Sequence, residues 1–192
     1  MKTTCLAAML LTSTAAWAQT SPAAAKAGLP APTAWAAASR DGNSTVWERT
    51  VYTNRPDGTV VAQTNRYTEI SSSLNYRDPA TGKWRPSQER ISILSDGSAV
   101  ATNGQHNVAF PIDIAKGAIV LLTPDGKLLQ SRPVALFMED DHDSAFIGLL
   151  SNSVGELVSS NEVVYRRCFA GVPASVRYRY TRAGFEQDVV IQ

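Results

Sequence analysis

The chain has 192 residues, 44% hydrophobic and 18% charged, with 18 Lys and Arg against 17 Asp and Glu. That is enough chain for one domain with its own core. A charge balance so close to zero gives no electrostatic reason to expect nucleic acid or an anionic membrane as partner, and two cysteines, Cys5 and Cys168, are too few for a disulfide framework.

The chain opens on an export pattern. Lys2 is followed by the apolar run 5–11 (CLAAMLL), by small residues at 12–15, and by Ala16, Trp17 and Ala18. These are the positive n-region, the apolar h-region and the A-x-A cleavage site of a bacterial secretory signal. The run falls short of the ~20 residues that a membrane-spanning helix needs; an uncleaved interfacial helix is the alternative. Lys2, Thr3 and Thr4 precede Cys5 where a lipidation site wants an apolar residue and then small ones, so Cys5 belongs to the apolar run. The expected mature chain begins at Gln19, with residues 1–18 as signal peptide. Losing Lys2 leaves it with equal numbers of acidic and basic side chains, and losing Cys5 leaves Cys168 alone. No other segment is long and apolar enough to span a membrane. The expected location is secreted, periplasmic or at the cell surface.

Residues 19–40 read as a linker. They are rich in alanine but cut by Pro22, Pro30 and Pro32 into pieces too short to hold a helix alone; a short helix over 34–38 is the alternative. From about residue 41 to the end at 192 the texture is that of strands and turns. Residues 45–52 (TVWERTVY) are β-branched and aromatic. Residues 55–58 (RPDG) supply a turn, and 59–70 resume strand character. Residues 78–82 (DPATG) turn between 74–76 and 83–84. Further turn signals at 95–97 and 103–104 flank a short strand at 99–101, and another at 108–110 stops at Pro111. Residues 118–122 (AIVLL) and 127–129 (KLL), joined by 123–126 (TPDG), make the clearest hairpin. Segments 134–137 and 145–150 flank an acidic turn, and 162–166 and 185–191 add two more strands. In 176–181 (VRYRYT), Val176, Tyr178 and Tyr180 alternate strictly with Arg177, Arg179 and Thr181. That period of two marks a half-buried strand.

Short strands recur with turns every ten or so residues, and no 3.6-residue period is sustained. The expected fold is all-β, an antiparallel β-sandwich-like domain of short strands and hairpins over residues 41–192. The chain stops directly on 189–191 (VVI) without a polar tail, so that strand is either tucked into a sheet or cut from a longer polypeptide, and a cut is the expectation.

Five stretches carry a resemblance: 104–108 (GQHNV), 123–126 (TPDG), 161–165 (NEVVY), 178–188 (YRYTRAGFEQD) and the turn 78–84 (DPATGKW). Together they resemble the N-terminal β-rich region of large exported bacterial proteins of the RHS/YD-repeat type and related secreted proteins. The resemblance covers roughly residue 74 to the end. It implies a β-rich module of a large surface or secreted protein and carries over no catalytic residue.

Chemistry-bearing constellations are sparse. Glu139, Asp140, Asp141, His142 and Asp143 are dense in hard oxygen ligands, but they lack the D-x-D-x-D-G spacing of a calcium loop and read as a solvated turn. His106 and His142 stand in no zinc pattern, and no G-x-S-x-G elbow is present. Cys168 with His106 is formally a Cys–His pair. A lone cysteine can also bridge two chains, but beside Phe169 it reads as a small buried side chain. Glu186 and Asp188 share one strand face and could be paired carboxylates. A solvated face, with Arg177 and Arg179 opposite them across a hairpin near Ala183 and Gly184, fits better.

No catalytic residue, metal ligand or cofactor is therefore expected, and the binding residues stay unassigned. The leading reading is an exported, non-enzymatic structural or interaction module, the N-terminal part of a larger RHS-like protein, with a protein or cell-surface partner. The rival is a carbohydrate-binding or enzyme-accessory β-sandwich in which Trp47, Tyr76 and Trp84 form an exposed stacking platform. Clustering of these rings on one open face would favour the rival, and their burial the first reading.

Overall fold

The structure is a computed structural model that describes residues 28–192; the expected signal peptide and the first part of the linker lie outside the described residues. The described chain is all-β. Sixteen strands run in order: β1 (Ala36–Arg40), β2 (Ser44–Asn54), β3 (Val60–Ile70), β4 (Asn75–Arg77), β5 (Trp84–Pro86), β6 (Ser92–Ile93), β7 (Ala99–Ala101) and β8 (Asn107–Phe110). They continue as β9 (Ile119–Leu122), β10 (Leu128–Ser131), β11 (Ala135–Glu139), β12 (Ser144–Leu149), β13 (Gly155–Ser159), β14 (Glu162–Tyr165), β15 (Ala174–Thr181) and β16 (Gly184–Ile191). Every pairing is antiparallel and joins neighbours in sequence. The sheets are β1-β2-β3, β4-β5, β6 to β10, β11-β12 and β13 to β16.

The body is sandwich-like. Ala99, Ala101, Val108, Phe110 and Ile119 from the five-stranded sheet form one buried cluster with Val163, Tyr165, Ala174, Val176, Tyr178 and Tyr180 from the four-stranded sheet. Phe110 and Tyr178 meet across the two sheets with ring centroids 5.9 Å apart. The buried tyrosines need partners for their hydroxyls, since an unpaired polar group in a core is costly. Tyr180 donates to the His106 carbonyl at 3.0 Å and Tyr165 to the Pro111 carbonyl at 2.6 Å, so two of these bonds tie one sheet to the other; Tyr178 donates to Gln187 Oε1 at 3.0 Å on the neighbouring strand.

The alternation read in 176–181 holds. Val176, Tyr178 and Tyr180 are fully buried, while Arg177 and Arg179 face outward. Arg177 lies opposite Asp188 and Arg179 opposite Glu186 in the β15–β16 register. Arg177 reaches Asp188 at 2.7 Å, and Arg179 prefers Glu162 on β14 at 2.7 Å to Glu186 at 4.0 Å. The 123–126 hairpin also forms: the Gly126 N–H donates to the Thr123 carbonyl at 3.0 Å, and φ of +80° at Gly126 explains the glycine.

Three strands were not legible. Residues 36–40, placed in the linker, extend as β1 and pair with residues 45–48 of β2. The alternative of a short helix over 34–38 does not form, because the edge of the long β2–β3 hairpin offers that backbone a ladder. The Thr33 N–H adds a bond to the Thr50 carbonyl at 3.0 Å. The others, β6 and β13, are edge strands of two and five residues whose side chains are mostly exposed and carry little hydrophobic pattern.

Candidate functional site

The β1-β2-β3 sheet meets the sandwich through a polar knot around Asn75, which is fully buried. Its amide nitrogen donates to the Asp41 carbonyl at 2.7 Å and the Ser44 carbonyl at 2.9 Å, and its Oδ1 accepts from Arg40 at 3.0 Å. Gln105 completes the junction: its Nε2 donates to the Gly42 carbonyl at 2.7 Å and the Asn75 carbonyl at 3.0 Å. A side chain that bonds two backbone carbonyls from separate segments, the β1–β2 turn and β4, fixes both.

Beside this knot lies an open cleft of about 570 Å³. Gly42 and Asn43 from the β1–β2 turn form one wall, and Tyr76, Arg77, Pro79 and Trp84 of the β4–β5 hairpin another. Thr102, Gly104, Gln105 and Asn107 make the floor, with Pro124 of the β9–β10 turn at the rim. Period two explains the floor: Gln105 and Asn107 face the cleft, while His106 and Val108 point into the core. Gly42 keeps the wall thin, because a Cβ there would sit 2.7 Å from Gln105 Nε2 and 3.6 Å from the Trp84 ring.

The DPATG turn shapes the hairpin. The Gly82 N–H donates to the Asp78 carbonyl at 2.7 Å, and the Asp78 carboxylate accepts from the Ala80 N–H at 2.9 Å and pairs with Arg85 at 2.7 Å. The Ala80 N–H, more than Arg85, holds the Asp78 carboxyl below its ordinary value. Asp41 is likewise lowered, first by the Ser44 hydroxyl and then by the Asn43 N–H. Arg77 turns its Nε to the Gly82 carbonyl at 3.0 Å. Asn107 Oδ1 is buried without a hydrogen-bond partner among the described residues. A cleft with two aromatic rings, amide side chains and one guanidinium can stack a ring and bond its hydroxyls. No lining side chain is a carboxylic acid, a thiol or an imidazole.

Of the three rings read as a platform, Tyr76 and Trp84 line this cleft; Trp84 is exposed and Tyr76 partly so. Trp47 stands elsewhere, in a ladder on the β1-β2-β3 sheet. It stacks on Tyr67 at 6.4 Å, Arg40 covers it at 5.2 Å, and its Nε1 donates to Glu69 at 2.9 Å. Tyr67 in turn meets Trp35 edge-on at 4.7 Å, and Arg49 lies over Trp35 at 4.7 Å. A Trp47 ring with one face already under a guanidinium is a poor stacking surface.

The other constellations go to structure. Residues 139–143 form an exposed turn in which Asp140 accepts from the His142 and Asp143 N–H groups at 2.8 Å each. No group of three or more His, Cys, Asp or Glu is gathered to hold a metal among the described residues. Cys168 is fully buried, and burial pushes its thiol up, away from the thiolate a nucleophile requires. Glu186 and Asp188 face Arg179 and Arg177 across the β15–β16 hairpin. Gln105, Asn107, Gly42 and Arg77 carried no functional reading in the sequence. The alternation of polar 105 and 107 with buried 106 and 108 was the available signal.

His106 is buried against Tyr180, with ring centroids 5.0 Å apart, and its Nε2 has no partner among the described residues. Burial holds the imidazole below its ordinary value of 6.5. The unfolded chain therefore binds a proton that the folded one refuses, and stability falls as pH drops below about 6.5. Above that value the contribution is constant. The lowered aspartates, Asp41 and Asp78 among them, lose their share only below about 4. Thermal melts of the parent between pH 7.5 and 5 should show a decline that His106→Phe flattens; equal slopes would refute the assignment.

Neither a family model, nor a curated protein, nor a solved structure matches the chain. No helix is long and apolar enough to cross a membrane among the described residues.

Proposed function

We propose that the chain is an exported, non-enzymatic binding module whose cleft between the β4–β5 hairpin and the β7–β8 turn takes a carbohydrate. The observation that carries this is the exposed Trp84 in one cleft with Tyr76, above the amides of Gln105 and Asn107. Sugars present an apolar ring face and a rim of hydroxyls, and such a pairing of flat rings with fixed amides meets both. A carboxylate pair able to cleave a glycosidic bond would have to stand around the scissile bond, and the lining offers none. The N-terminal signal pattern supports export. The stretches at 78–84 and 178–188, which resemble exported RHS-type proteins, support a place within a larger surface or secreted protein.

The test is a screen of soluble oligosaccharides against the mature chain recovered from the periplasm or medium, its mass checked for a start at Gln19. Trp84→Ala and Tyr76→Ala should each weaken the best ligand roughly tenfold, the equivalent of losing about 1.4 kcal/mol of ring contact. Trp47→Ala, outside the cleft, should leave binding unchanged. Binding that ignores Trp84 and follows Trp47 would sink the assignment.

A further inference from the structure

We infer that the sugar recognised by this cleft is anionic, with its carboxylate held by Arg77; this rests on the carbohydrate reading above. Three carboxylates stand next to lining residues, and each is already engaged by its own turn. Asp41 accepts from the Asn43 N–H at 2.8 Å and from the Ser44 N–H and hydroxyl at 2.6 and 2.7 Å. Asp78 holds the Ala80 N–H and Arg85, and Asp125 pairs with Lys127 at 2.8 Å. Arg77 differs. Its Nε is spent on the neutral Gly82 carbonyl, and it forms no ion pair among the described residues. The bond to Gly82 holds the root of the guanidinium, and its two terminal nitrogens make no hydrogen bond or ion pair among the described residues. A planar fork with both ends free fits a carboxylate through two parallel bonds.

Asn107 lines the cleft too; its Oδ1 is sealed from solvent, which leaves the amide N–H groups to donate to a sugar hydroxyl. Gln105 cannot turn to serve, because its amide nitrogen is committed to Gly42 and Asn75. A ring stacked on Trp84, a hydroxyl toward Asn107 and a carboxylate toward Arg77 together describe a uronic-acid unit of a polysaccharide.

Titration calorimetry of the mature chain with a galacturonic-acid hexamer and a neutral galactose hexamer tests this. The charged hexamer should bind roughly tenfold more tightly, in line with a charge-assisted hydrogen bond. Arg77→Gln should erase that preference by weakening the charged hexamer far more than the neutral one; Arg77 is exposed, so the variant should melt like the parent. Trp84→Ala should weaken both. Equal affinities that Arg77→Gln does not change would overturn the anionic assignment and leave the carbohydrate reading standing. Failure of a broad oligosaccharide screen, neutral and charged, would overturn both. Charged-hexamer binding that survives Trp84→Ala and vanishes in salt would overturn the assignment as nonspecific attraction.

Discussion

Tyr180→Ala should unfold the domain or lower its melting temperature further than any surface change. The ring is fully buried between the sheets, and its hydroxyl donates to a carbonyl 74 positions earlier in the chain. Truncating a buried aromatic costs about 3–5 kcal/mol. The orphaned His106 carbonyl adds about 1–3 kcal/mol where water cannot reach it. Together these, about 4–8 kcal/mol, match the lower part of the ~5–15 kcal/mol that holds a typical domain folded. The neighbouring Arg179→Ala removes a partly exposed ion pair with Glu162, and an ion pair screened by water contributes little to stability. In a domain of this size each kcal/mol moves the melting temperature by about 2–4 °C. Differential scanning calorimetry of the two variants decides the matter: comparable shifts would show that the sandwich does not depend on the inward face of β15.

Gly104→Ala should be nearly as damaging, for the opposite reason. A Cβ at this position would stand 2.1 Å from the Tyr180 hydroxyl oxygen, well inside van der Waals contact. Tyr180 has no room to withdraw, being fully buried and bonded at 3.0 Å. Overfilling a packed core commonly costs about 1–3 kcal/mol, and a clash this deep belongs at or above the upper end. The sharper expectation concerns the pair. Tyr180→Phe deletes the atom in the way, after which the nearest obstacle is the ring carbon Cζ at 3.3 Å. Alone, Tyr180→Phe loses one buried hydrogen bond and destabilises the fold. Combined with Gly104→Ala, it should yield a protein more stable than Gly104→Ala by itself, with a coupling of about 0.5–3 kcal/mol between the two positions. Additive losses in urea titrations would mean that the glycine serves some other purpose.

The fold was readable because its signals are local. Turn chemistry at RPDG, DPATG and TPDG punctuates the chain, and strict alternation in 176–181 assigns the inner face of β15 residue by residue. What could not be read is whatever depends on a partner distant in sequence. Alanine and proline around 36–40 say nothing of the β2 edge that draws them into a ladder. The cleft has the same difficulty in stronger form, since its walls come from residues near 42, 76–84 and 102–107. Trp47 and Trp84 look equivalent as letters. Only the register separates them, by setting Trp47 opposite Tyr67 and leaving Trp84 beside the cleft.

The strand order has a kinetic side. Because paired strands are always consecutive in the chain, every ladder closes through a connection of modest length, and the entropy lost in closing a loop grows only with the logarithm of that length. Few of the native pairings require a distant search. The long-range cost falls on the docking of preformed sheets: the meeting of the five-stranded and four-stranded sheets, which the hydroxyls of Tyr165 and Tyr180 span, and the junction at Asn75 and Gln105. Short-range pairing of this kind favours rapid folding for an all-β chain, a class otherwise slowed by its non-local contacts. It also shortens the time for which unpaired strand edges stand open to other chains.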